Sequence, residues 1–316
     1  MGRPTFASAF TLALISAALW SLHAAPASLR VEPIDFAGTM LCRESSRAFL
    51  GGLDAGAACH AITWRIRFEP PINGSAAWSL TAQYGVPPPS NPNLMIDGPK
   101  VALKGTWTTT KGAGRDASAL VYRLTSEARR TVAFVRISDD LVHMLDDAGR
   151  LMLGNSGWSY TLNRVDRMEL PGDPAMAPDL SYPISPRGTG DTVFGIFEGR
   201  TPCAGVARQM KIKPVAGCLK LKWRVTLFRN PQTGEPTTYK IESTLHRQRA
   251  REGAWKIVRG TSADPHGIFY ELAATEREGP LRFLQADDRI LFFVGPNGNL
   301  LTGNVDFSYT LNRVGP

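Results

Sequence analysis

Much that would mark an enzyme or a metal carrier is missing from this chain of 316 residues. There is no nucleophile elbow, no His-Glu-x-x-His and no Gly-rich phosphate loop, which removes the recognisable routes to hydrolysis, zinc chemistry and nucleotide binding. No Cys-x-x-Cys chelate or Met-rich tract is present to select a soft metal such as copper. No helical pattern of three turns stands out, and beyond the N-terminal segment no apolar run reaches membrane-spanning length. A low-complexity basic run is also absent. The formal net charge of +8 therefore reads as a solubilising surface, with an anionic membrane or cell-wall surface as the alternative partner and no nucleic acid.

The one long uncharged stretch lies at the start. Arg3 is the only charge in the first 29 residues; an Ala- and Leu-rich run from Phe6 to Leu22 follows, then Ala25-Pro26-Ala27, a small-x-small site. This pattern predicts a secretory signal cleaved after residue 27 and a periplasmic or secreted protein. No cysteine stands at the cleavage site to take a lipid. An uncleaved anchor suits the segment less well, because Ser, Thr and small residues interrupt it. The remaining 289 residues exceed the usual size of one domain.

What the sequence does contain is a repeat. Ser-Tyr-Thr-Leu-Asn-Arg-Val occurs at 159–165 and again at 308–314. Reading backwards, Gly154-Asn155 matches Gly303-Asn304, Asp139-Asp140 matches Asp287-Asp288, and Gly105-Thr106-Trp107 matches Gly253-Ala254-Trp255. Further back, Cys59 and Trp64 match Cys218 and Trp223, and Phe36-Ala37-Gly38 with Cys42 matches Phe197-Glu198-Gly199 with Cys203. The order never breaks, so one domain is built twice. Between the copies, prolines at 171, 174, 178, 183 and 186 mark an extended linker.

Within each copy the residues alternate. Ile62, Trp64, Ile66 and Phe68 oppose Thr63, Arg65 and Arg67; Leu219, Leu221, Trp223, Val225 and Leu227 oppose Lys220, Lys222, Arg224 and Thr226. These are half-buried antiparallel strands, separated by turn sequences such as Asn230-Pro231-Gln232-Thr233-Gly234 and Pro296-Asn297-Gly298. A small unit of short meandering strands hides its edges by closing on itself.

Phe197-Glu198-Gly199-Arg200-Thr201-Pro202-Cys203-Ala204, then Thr237-Thr238-Tyr239-Lys240, Glu252-Gly253-Ala254-Trp255, the Leu-rich hairpin 290–301 and Tyr309-Thr310-Leu311-Asn312-Arg313 together resemble the NlpE family of bacterial envelope proteins, known for copper resistance and surface-stress sensing. The resemblance covers about 193–315 and, more faintly, 33–165. It implies a small lipocalin-like β-barrel in the cell envelope and no enzymatic activity. Two departures stand out: Pro202-Cys203 lacks the second thiol of the family's Pro-Cys-x-x-Cys, and the signal lacks a lipid-bearing cysteine. The expectation is an all-β chain of two tandem small antiparallel lipocalin-like β-barrels, 28–168 and 191–316, joined by a Pro-rich linker at 169–190 and preceded by a signal peptide, 1–27.

Candidate sites follow from the same alignment. Cys42 with Cys59 and Cys203 with Cys218 fall two per copy, and an oxidising compartment makes one disulfide in each the default. The metal alternative would use Cys42, His60 and Cys203, with copper as the ion. Trp64, Trp158, Trp223 and Tyr309 face inward, with Trp107 and Trp255; they read either as core packing or as the lining of a pocket for a small hydrophobic ligand. His60 reads as packed at a barrel mouth and His143, matching Phe292, as core-edge. The paired aspartates read as hairpin turns, since adjacent strand residues face opposite ways. Asp264, His266 and Ser262 lie close in sequence without the geometry of a triad. The functional expectation is a non-catalytic envelope binding or sensing protein that engages an unknown envelope protein. A carrier of a small hydrophobic ligand is the alternative.

Overall fold

The computed structural model describes residues 32–51, 58–71, 76–86, 98–113, 116–170, 192–213, 217–246, 249–260 and 264–316. The expected signal and linker residues 171–190 lie outside them. In the first copy, β1 (Ile34–Leu41), β2 (Ala61–Phe68), β3 (Ala77–Gly85), β4 (Lys100–Ala113), β5 (Asp116–Ser126), β6 (Thr131–Arg136), β7 (Leu141–Leu145) and β8 (Thr161–Arg164) form a closed antiparallel barrel. In the second, β9 (Thr192–Thr201), β10 (Leu221–Arg229), β11 (Pro236–Ser243), β12 (Arg251–Arg259), β13 (Ile268–Leu272), β14 (Leu281–Gln285), β15 (Ile290–Val294) and β16 (Thr310–Gly315) do the same. One short helix interrupts each meander, α1 (Glu44–Leu50) after β1 and α2 (Ala204–Met210) after β9.

The alternation in sequence becomes the inside and outside of each barrel. Along β2, Ile62, Trp64, Ile66 and Phe68 are buried while Arg65 and Arg67 are exposed. Along β10, Leu221, Trp223, Val225 and Leu227 are buried in the same rhythm, and Phe228 joins them out of phase because the register with β9 shifts there. Closure needs a close approach of the first and last strands. At Gly38 a Cβ would lie 2.8 Å from the Thr161 carbonyl, and at Gly199 2.5 Å from that of Thr310. The repeated Phe-x-Gly motif is therefore the point where β1 meets β8 and β9 meets β16.

The cysteines pair within copies, Cys42 with Cys59 and Cys203 with Cys218, with Cα separations of 5.7 and 6.1 Å. Each bridge closes the loop that carries the short helix, a constraint worth roughly 3 kcal/mol in the chain-entropy account. The helices then turn inward. Phe49 of α1 packs against Trp64 and Trp78 with ring centroids 5.6 and 5.8 Å away, and Val206 and Met210 of α2 join the second core. Among the described residues no helix is long and apolar enough to cross a membrane.

Candidate functional site

The strand that closes each barrel is buried on both faces. Tyr160 and Leu162 point into the first core and Tyr309 and Leu311 into the second, but Thr161, Asn163, Thr310 and Asn312 are also at most 2 % exposed. Successive residues of a strand face opposite ways, so something must cover the outer face. The other copy covers it. Ser159 meets Ser308 at 2.6 Å and Thr161 meets Thr310 at 3.0 Å. Asn163 accepts the Gly303 N–H and donates to the Asn304 carbonyl; Asn312 accepts the Gly154 N–H and donates to the Asn155 carbonyl. Each contact has its mirror, the mark of a twofold-related interface. An apolar seam beside it joins Val121, Val135 and Leu141 to Ile290 and Phe292.

His143 is fully buried on this seam, 6.0 Å from the Phe292 ring. Its Nε2 lies 2.9 Å from the Met152 carbonyl, which can only accept, so Nε2 carries the proton and Nδ1 accepts from the Thr161 hydroxyl. The hydroxyls then line up in one direction, Ser159 to Ser308 to Thr310 to Thr161 to the imidazole. Burial pushes the His143 pKa down to about 4, against the Met152 hydrogen bond. Arg200 of β9 lies over the Trp158 ring at 5.3 Å across the same interface, its pKa lowered by burial.

Where the two barrels diverge from the seam they leave a cleft of about 800 Å³. Its floor is apolar and comes from both copies, with Val135, Ile137 and Leu151 facing Ile268, Leu284 and Ala286. Its rim is charged. Arg136, Arg150 and Arg289 are held by the carboxylates of Asp139, Asp146 and Asp287 respectively. Asp116 opens β5 on one side and Asp264 precedes β13 on the other. In both, Oδ1 accepts the backbone N–H two residues on, at Ser118 and His266. The Asp116 carboxyl is held below its ordinary range by the Ser118 hydroxyl and backbone, against burial, with His266 across the cleft adding to the effect.

The inward aromatics occupy the cores. Trp64, Trp158, Trp223 and Tyr309 are between 0 % and 8 % exposed and belong to the packed clusters or their seam. None of the four lines the cleft between the barrels. Cys42 and Cys203 are oxidised and offer no thiolate, and no three His, Cys, Asp or Glu residues cluster to hold a metal among the described residues. His60 is exposed at a barrel mouth, edge-on to Trp158 at 5.3 Å. Asp139-Asp140 and Asp287-Asp288 form the β6–β7 and β14–β15 turns. Asp264 and His266 do reach a common cleft; Ser262 lies outside the described residues.

Sequence reasoning missed a buried polar network in the second barrel. His246 Nε2 donates to the Glu278 carboxylate at 3.0 Å and its Nδ1 meets the Ser243 hydroxyl at 2.6 Å. Arg251, 1 % exposed in its side chain, binds Glu278, the Tyr239 hydroxyl and the carbonyls of Ala273 and Gly279. A hydroxyl, an imidazole and a carboxylate in a row suggest catalysis, yet Ser243 is 0 % exposed and its oxygen also takes the Leu245 N–H. The arrangement fixes the β13–β14 turn, whose Gly279 N–H caps the Met210 carbonyl of α2. Arg251 and Glu278 are 27 residues apart in sequence with no motif to join them.

Searches against family models, curated proteins and solved structures find no match to this chain.

Proposed function

We propose that the chain is a non-catalytic binding protein of the bacterial cell envelope, of NlpE-like type, and that it takes its ligand in the cleft between its barrels rather than inside either one. The family assignment is supported by the ordered motifs at 193–315 and their fainter copy at 33–165. Export is supported by the N-terminal segment, and an oxidising compartment by the two disulfides. One observation carries the binding reading: both cores are packed, while the cleft has the volume and apolar floor of a small-molecule site, below a charged rim. The joined sulfurs turn the reading away from copper held by thiolates.

The test is titration of the neutral fluorophore N-phenyl-1-naphthylamine. One saturable site is expected in the wild-type chain, lost in Ala119→Trp, which fills the cleft from β5, and kept in His60→Ala at the barrel mouth. Binding that survives Ala119→Trp, or no saturable binding at all, overturns the cleft reading.

A further inference from the structure

We infer that the cleft selects an amphipathic cation, with its apolar body on the shared floor and its positive group at the carboxylates of the rim. The inference rests on the cleft being a ligand site and adds the ligand's charge. The rim's basic groups are already spoken for. Arg150 is bound to Asp146 at 2.9 Å and Arg289 to Asp287 at 3.0 Å, and Arg136 is paired with Asp139 of its own turn. Arg289 also donates to the Leu151 carbonyl, which fixes it against the floor. An incoming anion would have to compete with these carboxylates for each arginine.

Two of the acidic groups are placed differently. Asp116 and Asp288 enter no ion pair among the described residues, and both are exposed. Asp116 is oriented by the Ser118 N–H and hydroxyl, at 2.8 and 2.6 Å, so it stays ionised and points from a fixed turn. Asp264 repeats that turn in the second copy, so duplication has set the same acidic turn on two sides of one cleft. Among the described residues the lining holds four aspartates against three arginines, with no lysine or glutamate, in a chain whose formal charge is +8. His266 is the remaining titratable group of the lining. A cation gains from this local excess of negative charge, and its alkyl part gains by covering the apolar residues between.

The experiment compares decyltrimethylammonium, decyl sulfate and decyl maltoside as competitors of N-phenyl-1-naphthylamine, all below their micelle concentrations and at low salt. The cation is expected to compete at least about tenfold more tightly than the other two. Asp116→Asn with Asp288→Asn is expected to erase that preference, with each competitor referred to the fluorophore affinity measured in the same variant; at position 116 asparagine keeps the acceptor oxygen for the Ser118 N–H. Added salt should weaken the cation selectively. Equal competition by all three amphiphiles, or preference for the sulfate, overturns the charge assignment while the cleft remains a site. Failure of the fluorophore itself to bind overturns both.

Discussion

Where the first barrel has Leu103 on β4, the second has Arg251 on β12, each paired with the strand before it at the matching position, Leu80 and Ile241. The two barrels face one task at this end, tying the short helix to a hairpin turn, and solve it with different chemistry. In the first, Arg130 of the β5–β6 turn donates to the Leu50 carbonyl at the end of α1, where a cation meets the negative end of the helix. That helix ends at Gly51, φ 60°, where any side chain would run into the Arg130 guanidinium. In the second, the Gly279 N–H caps Met210 directly, and the ion pair of Arg251 with Glu278 holds the turn from below. The second barrel is also better satisfied. Trp223 donates to Thr201 and Tyr309 accepts from Gly205, whereas the matching Trp64 Nε1 and Tyr160 hydroxyl have no partner among the described residues; Met40 stands where Thr201 would be. An outer sheet pattern can thus be copied while the polar groups behind it are rewritten.

The largest expected effect breaks that rewriting. Arg251→Leu gives the second barrel the residue of the first but leaves Glu278 and the Tyr239 hydroxyl without their cation. Removing one member of a buried pair costs about 3–5 kcal/mol, because the other charge stays behind. Equilibrium denaturation in urea measures it. A loss under about 1 kcal/mol would show that the network is incidental and that either barrel accepts either solution.

A second comparison sets His143 against Phe292, its match in the other copy. The folded His143 has its pKa at about 4, below the ordinary 6.5 of the unfolded chain. Between those values the unfolded state binds the extra proton, so stability is fully present above pH 6.5 and is lost as pH falls towards 4. A depression of that size corresponds to roughly 3 kcal/mol at the acid limit. His143→Phe gives up the Thr161 and Met152 hydrogen bonds at neutral pH, but its stability should vary less across this interval than that of the wild type. Parallel pH profiles for the two proteins would remove His143 as the acid-sensitive group of the seam.

These differences mark the limit of what the sequence makes legible. Alternation placed Ile62, Trp64 and Trp223 inside closed sheets, and matched spacing paired the cysteines, because period-two burial and a duplicated loop both leave local signals. The seam left a weaker one. Thr161, Asn163, Thr310 and Asn312 look like the polar outer face of an ordinary strand, and only the second copy, some 149 positions away, makes that face an interior. The cleft was illegible for the same reason. Its floor mixes Leu151 with Leu284, residues that meet only once both barrels have closed and packed. The aspartate pairs could be recognised as turns, and the arginines they hold, Arg136 at Asp139 and Arg289 at Asp287, are local; that both turns border one cleft depends on the packing of the two copies.

The smallest expected effect tests whether the seam is symmetric in energy as well as in form. Asn163 makes bonds of 2.8 and 3.0 Å to Gly303 and Asn304, and Asn312 makes bonds of 2.9 and 3.1 Å to Gly154 and Asn155. Alanine at either site leaves one buried N–H and one buried carbonyl unpaired, which costs roughly 1–3 kcal/mol. Because the two bonding patterns mirror each other, Asn163→Ala and Asn312→Ala should destabilise by amounts within about 0.5 kcal/mol of one another, the margin within which independent sites usually add. The double variant then discriminates further. If the seam opens as one unit, the second substitution costs less than the first, since the contacts it removes are already weakened; if each barrel holds its own half, the two losses add. A large loss at one asparagine and none at the other would show that the matching endings of the two copies share a shape without sharing a load. The repeat would then reflect barrel closure alone.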